Sequence, residues 1–381
     1  MSCCVAAKYD GWCDDVELLV EHEGKSYCIF HAPVECEEKL EKWDNELVFA
    51  RIEGVRGTDR KLIFKGAIFP HVISFDHYDE ENPFPLVSFR SVTFAQSAYF
   101  SDTVFSRRAE FMHAVFEEDA NFDDADFTKN VDFEGAKFCC DVSFYKTTFT
   151  KNAYFENTTF SARTTFNDAV FSEDAYFSVT KFSGRTNFSG AEFLGVTDFQ
   201  GSEFLKNANA DFRKTTFSER TNFNSATFSE ESQFGEAVFC ADLSIVKATF
   251  LERVNFNGAR FAGNSIFKST RFAHASFNFA NFEQPALFVC SVFFSGSFRG
   301  CHVNNRLEFD RTDLRGLSLL GAPIESFRFI SCDWPKSDGR NITCDARKVD
   351  GQGYFEIDHK DDEEGGECAE PVPKPNHLED L

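Results

Sequence analysis

Four side chains near the start of the chain have the types and the spacing to hold a metal ion. Cys3 and Cys13 are separated by nine residues in MSCCVAAKYDGWCDD, and the run CIFH places Cys28 and His31 with two residues between them. Thiolate sulfur and imidazole nitrogen are donors that suit Zn²⁺ when four of them form a tetrahedron. The Cys-x-x-His half turns both ligands toward one point, and fourteen residues separate it from Cys13. Four protein ligands leave no position for water, so the expected role is structural and not catalytic. Cys4 could replace Cys3, and Cys36 is a spare thiol.

Something must bring these ligands together. The segment resembles small zinc-binding knuckles with widely spaced first ligands and a terminal Cys-x-x-His. After Pro33, the run ECEEKLEKWDNELVFA puts Leu40, Trp43 and Leu47 on one helical stripe with acids and lysines elsewhere. That pattern predicts an amphipathic helix docked on the body of the chain. Residues 1–58 therefore read as an N-terminal cap.

The body is a repeat. The chain of 381 residues holds 50 Phe against 8 Tyr and 3 Trp, whereas an ordinary core mixes Leu, Ile, Val and Phe. From Phe89 to Phe204 the gaps between successive Phe alternate five and six without an error, and a small or β-branched residue stands two places before each. Helical spacing would be i, i+3, i+4, i+7, which this is not. Positions two apart share a face only in extended backbone. One short strand cannot bury its Phe alone, so successive units must wind and stack, coil upon coil.

These residues resemble the pentapeptide-repeat proteins, whose five-residue unit centres on Leu or Phe with a small residue two positions earlier. In TDLRGLSLLGAPIESFRF, residues 312–329, the step is a strict five through Leu314, Leu319, Ile324 and Phe329. The resemblance implies an all-β fold, a right-handed, four-sided parallel β-helix, over residues 59–335. Alternating fives and sixes predict a coil of 22 residues, with the extra residues at opposite corners. DHYDEENPFP reads as a projecting loop, FLKNANADF inserts two residues, and the spacing loosens after Phe272. Trp334, five after Phe329 and followed by Pro335, reads as a terminal plug. Residues 336–355 are then an exit segment and 356–381 an acidic, Pro/Gly-rich tail expected to be disordered.

Charge and composition exclude several functions. The net charge of −23 argues against electrostatic binding to nucleic acid or an anionic membrane. No apolar run long enough for a membrane span and no signal-peptide pattern is present, and the scattered cysteines suggest reduced thiols, so a cytoplasmic location is expected. No nucleophile elbow, phosphate-binding glycine loop or HExxH occurs, so no enzyme is expected. A 22-residue coil stacks Glu110, Asp132, Tyr154, Tyr176 and Asp198 in one outward column, and Tyr99, Asn121, Ser143, Thr165 and Asn187 in another. Tyr154 and Tyr176, flanked by Asp132 and Asp198, form the candidate interaction spot. The expected function is a non-catalytic structural or protein-interaction module. The family resemblance also implies an alternative, an acidic DNA mimic that binds a DNA-handling enzyme such as DNA gyrase. Residues 84–300 hold 26 acidic and 20 basic side chains, a thin surplus for a duplex mimic.

Overall fold

The computed structural model describes residues 3–336 and the backbone of residues 337, 340 and 341. The expected tail and most of the exit segment lie outside the described residues. The cap comprises a 3₁₀ turn at Ala6–Tyr9, a hairpin of strands β1 (Leu19–His22) and β2 (Lys25–Cys28), and helices α1 (Glu37–Lys42) and α2 (Glu46–Glu53). The expected single helix is thus broken in two. Trp43 leaves α1 in extended backbone and turns inward, while Leu40 is 41% exposed. The break lets Trp43 and Phe49 each reach a different ring of the first coil, Phe69 and Phe75.

From Leu62 to Ile330 the chain is a four-sided parallel β-helix. Its first face stacks thirteen short strands from Leu62–Ile63 to Phe327–Ile330, which makes twelve turns. The second face runs from Ile68–Phe69 to Val292–Phe293, the third from Ile73–Ser74 to Leu317–Ser318, and the fourth from Val104–Phe105 to His302–Val303. Residue pairs such as Ala109↔Val131, Val131↔Ala153 and Ala153↔Ala175 establish the 22-residue coil.

Each corner type is set by its step length. A five-residue step, such as Phe100 to Phe105, turns tightly: the Thr103 amide donates to the Phe100 carbonyl and Asp102 has φ 57°. That is a turn needing positive φ at its third residue. A six-residue step carries its extra residue at a wider corner without positive φ, and wide and tight corners alternate around the coil. The extra residues therefore sit at opposite corners.

Inside, each coil from Phe64 to Phe239 contributes four rings, and identical positions of successive coils stack; farther on, Ile245, Val303, Leu314 and Leu319 take single ring positions. Phe144, Phe166 and Phe188 lie 4.6 and 4.9 Å apart and within 3° of parallel. Neighbouring ladders meet edge to face, as Phe155 and Phe166 do at 5.4 Å. Both geometries are favourable for the ring quadrupole. Buried hydroxyls pin coil to coil at the tight corners: Thr147, Thr158 and Thr180 donate to the carbonyls of Phe122, Phe133 and Phe155 at 2.6–2.8 Å.

Departures from the 22-residue register have local causes. The first coil holds 25 residues (Leu62↔Val87), yet DHYDEENPFP does not simply project. Tyr78 and Phe84 are buried, and Phe84 supplies the fourth side beneath Phe105 at 5.0 Å. The insertion before Phe212 makes a 24-residue coil (Thr186↔Ala210). Beyond Ser265 the coil shortens to 21 residues (Ser265↔Ala286, Ala286↔Leu307) and then to 20 (Leu307↔Phe327), where the sequence steps strictly by five. Trp334 is buried edge-on against Phe329 at 4.9 Å. Ten cysteines among the described residues carry free thiols, but Cys290 is disulfide-bonded, an exception to the expected chemistry.

Candidate metal centre and lateral face

The cap closes the open end of the helix with aromatic rings. Phe30 packs on Phe64 at 5.7 Å, Trp12 meets Phe64 at 5.8 Å, and Trp43 lies against both Phe30 and Phe69. The Ile68 amide donates to the Phe30 carbonyl at 2.8 Å, so the segment just after β2 continues the second face by one hydrogen bond. Unpaired strand edges are association hazards, and this arrangement covers them.

Lys39 ties the parts together in a way the sequence did not suggest. Its side chain is fully buried, and Nζ donates to the carbonyls of Ala32 (2.7 Å), Ile68 (2.8 Å) and Phe30 (3.4 Å) while lying 5.2 Å from the Trp43 ring. Burial pushes the ammonium down to about 7, while the nearby thiols of Cys28 and Cys36 act in the opposite direction.

Beside this anchor, Cys3, Cys13, Cys28 and His31 converge. Their ligand atoms all lie within 4.8 Å of one another and all four residues are buried. His31 Nδ1 stands 3.1 Å from Cys28 Sγ and 3.7 Å from Cys3 Sγ. Its other nitrogen, Nε2, lies 3.1 Å from the Lys65 carbonyl. A carbonyl accepts only, so Nε2 carries the proton and Nδ1 presents its lone pair to the sulfurs. Tyr9 stacks on the imidazole at 4.8 Å, and Trp12 Nε1 donates to the same Lys65 carbonyl at 2.7 Å. Gly66 is required there because a Cβ would strike the Tyr9 ring at 2.4 Å.

The donor set fits a tetrahedral ion. Metal–sulfur bonds of about 2.3 Å imply sulfur–sulfur edges of roughly 3.8 Å, within the 4.8 Å that bounds all the ligand-atom separations. Burial, then the neighbouring Cys3, pushes the Cys13 thiol up to about 11. The same causes raise Cys28, and burial lowers His31. Without metal the Cys13 and Cys28 thiols therefore keep their protons, and an ion bound there must displace them. Cys4 is exposed and outside the cluster, and Cys36 is buried apart from it, its thiol directed at the Glu21 carbonyl. The Tyr9, Trp12 and Lys65 contacts were not foreseen; the aromatic density around Cys13 was their one signal in the sequence.

On the first face, register places Glu110, Asp132, Tyr154, Tyr176 and Asp198 in one column. Tyr154 and Tyr176 stack at 5.3 Å and 7°. Both are half-buried and not fully exposed, and Asp132 is buried, held by Arg108 at 3.1 Å. The Tyr176 hydroxyl donates to Asp174 at 3.0 Å, and Asp198 accepts from Asn222. Glu156, beside the pair, is raised by burial and by Glu134, Asp132 and Asp198. The second column, Tyr99 to Asn187, is likewise in register on the third face.

Among the described residues no helix is long and apolar enough to cross a membrane. Residues 84–126 and 122–170 match the model for pentapeptide repeats (9 copies). No curated protein sequence matches the chain. Among solved structures, it is similar to HetL, a pentapeptide repeat protein involved in heterocyst differentiation regulation from the cyanobacterium Nostoc sp. strain PCC 7120. Identity there is 14%, over 59% of this chain and 92% of HetL, with a TM-score of 0.27. It is also similar to a trypsin-treated form of QnrB1, a plasmid-mediated fluoroquinolone resistance protein, at 16% identity over 53% and 87% of the two chains and a TM-score of 0.23. Residues 84–170 thus carry pentapeptide repeats, and the four-sided coil with its Phe ladders continues beyond that stretch on both sides.

Proposed function

We propose that this protein is a non-catalytic interaction module, a rigid rod that presents flat faces to a protein partner and is locked at its N-terminal end by a structural zinc ion. The observation that carries this reading is the solid interior: the inward Phe rings from Phe64 to Phe309, with Ile245 and Val303 at two ring positions, pack on one another along the helix, so no substrate can enter it. Cys3, Cys13, Cys28 and His31 would hold the zinc with no open position, which supports folding and not turnover. Thiolate ligands, with ten free thiols against the one disulfide-bonded Cys290 among the described residues, suit a reducing, cytoplasmic compartment. The working units are the cap, 1–58, and the rod, 59–335.

The stacked Tyr154 and Tyr176, with Asp132 and Asp198 above and below, are the proposed contact on the first face. Tyrosine pairs supply rigid contact area at low entropy. Mimicry of DNA is the weaker reading, because the faces mix charge: the second face runs Lys137, Thr159, Lys181, Glu203, and ion pairs such as Arg163–Asp141 and Lys181–Glu203 cross the coils.

The test is photo-crosslinking of the full chain in its native extract. A photoreactive residue at position 176 should capture one protein that the same residue at Thr165, on the third face, does not. Tyr154→Ala with a crosslinker elsewhere on the first face should lose it. Equal capture from both faces would remove the first face from the account.

A further inference from the structure

The cap carries a surface feature built from non-repeating residues. Between the segment leading into β1 and helix α2 runs an open groove of about 490 Å³. Ile29 and Phe30 form its buried floor, with Val16 and Leu18 half-buried on one wall and Leu47 on the other. Arg51 closes one end, its guanidinium 5.7 Å from the Trp12 ring and 5.8 Å from Phe30, and it pairs with Asp15 at 3.1 Å. Glu17, Asp44 and Glu46 stand exposed along the rim, and among the described residues none of the three has an ion-pair partner. With Arg51 already matched by Asp15, the groove is an apolar trough under three uncompensated carboxylates.

We propose that this groove docks a short segment of a protein partner in which an aliphatic or aromatic side chain is flanked by lysine or arginine. The apolar floor takes the anchor side chain, and the rim carboxylates take the cations. Charge complementarity selects this occupant over the two others within reach. Residues 356–381 of this chain carry ten acidic side chains against two lysines, so the tail is repelled by the rim. A second copy, with a net charge of −23, is repelled as well. The groove also differs from the faces in kind. A face repeats every coil and offers many equivalent registers, whereas the groove occurs once and fixes where a partner segment sits.

This proposal rests on the interaction-module reading but is tested on the groove alone, so its failure would leave the role of the rod faces standing. The probes are fluorescein-labelled hexapeptides with central Leu or Phe flanked by lysines, and the same peptides flanked by glutamates. They are titrated by anisotropy against the full-length protein. The lysine-flanked peptides should bind at least tenfold more tightly than the glutamate-flanked ones, with affinity falling as salt rises. Glu17→Lys/Glu46→Lys should weaken that binding at least tenfold, and Ala50→Trp, which fills the trough from an exposed lining position, should do the same. Near-UV circular dichroism checks that both variants keep the cap folded. Tyr154→Ala/Tyr176→Ala should bind the peptides as the unmodified chain does. If lysine-flanked peptides bind no better than glutamate-flanked ones, or if folded charge-reversed and blocked variants bind as well as the unmodified protein, the proposal is overturned.

Discussion

Truncating one ring in the middle of the rod tests how the fold is held. Phe166 is fully buried. It is stacked between Phe144 and Phe188 and in edge or tilted contact with Phe155, Phe160, Phe171 and Phe177 at 5.4–6.1 Å. Phe166→Ala removes the transfer free energy of the ring and leaves a cavity that the two-residue strands around it cannot collapse to fill. The expected loss is about 3–5 kcal/mol. Phe166→Leu keeps most of the volume and should lose about 1–1.5 kcal/mol. Phe329, in the last coil, is half-buried and touches Phe309, Phe327 and Trp334. With part of its ring already in water, Phe329→Ala should lose only about 1–2 kcal/mol. In a solenoid each coil is stabilised by its two neighbours, so a central defect weakens two interfaces and a terminal one mainly one. Equilibrium urea unfolding followed by far-UV circular dichroism measures the difference, with the denaturant slope required to stay constant so that the midpoint reports stability. If Phe166→Ala lost less than about 1 kcal/mol, or no more than Phe329→Ala, the ladder account of stability would be wrong.

Other expectations rest on single residues. Val179 has φ 58° at a tight corner, where a β-branched side chain is strained, and the same corner holds Asn157 one coil before and Gly201 one coil after. Val179→Asn should therefore stabilise the rod by about 1 kcal/mol, read as a raised urea midpoint. Lys39→Met should destabilise the cap by about 2–4 kcal/mol, because the carbonyls of Ala32 and Ile68 lose their donor in a buried place. The folded-state pKa of Lys39 is about 7, below that of the unfolded chain, so the unfolded chain binds the proton more tightly. Its contribution to stability therefore rises with pH from about 7 toward the unfolded value, and Lys39→Met should flatten that slope in thermal melts across this range.

The rod was legible in the sequence because one large side chain at one inward position leaves little freedom. Phe at steps of five and six, with a small residue two before it, fits only a narrow coil, and the convergence of Cys13, Cys28 and His31 with one of Cys3 or Cys4 was legible from residue types and spacing. The cap was less so. A helical stripe through Leu40, Trp43 and Leu47 looked continuous, but the need to place Trp43 over Phe69 and Phe49 over Phe75 broke it at Asp44. Lys39 reads as a solvent lysine, and only three converging carbonyls from separate segments make it a buried anchor. The step length marks the tight corners, but residue type does so unevenly: Asp102, Asn157 and Gly201 suit positive φ, whereas Lys146, Val179 and Phe279 adopt it without such a preference. Tyr154 and Tyr176 looked exposed because alternation gives direction only, and neighbouring coils cover half of each ring.

The metal content of the purified full-length chain, set beside Cys28→Ala/His31→Ala and Cys4→Ser variants, bears most directly on the account of a rod locked by its cap. Inductively coupled plasma mass spectrometry should find one zinc per chain in the unmodified protein and in Cys4→Ser, and none in the double variant, whose cap should unfold at lower urea. No zinc in the unmodified protein, or zinc that survives loss of Cys28 and His31, would contradict it.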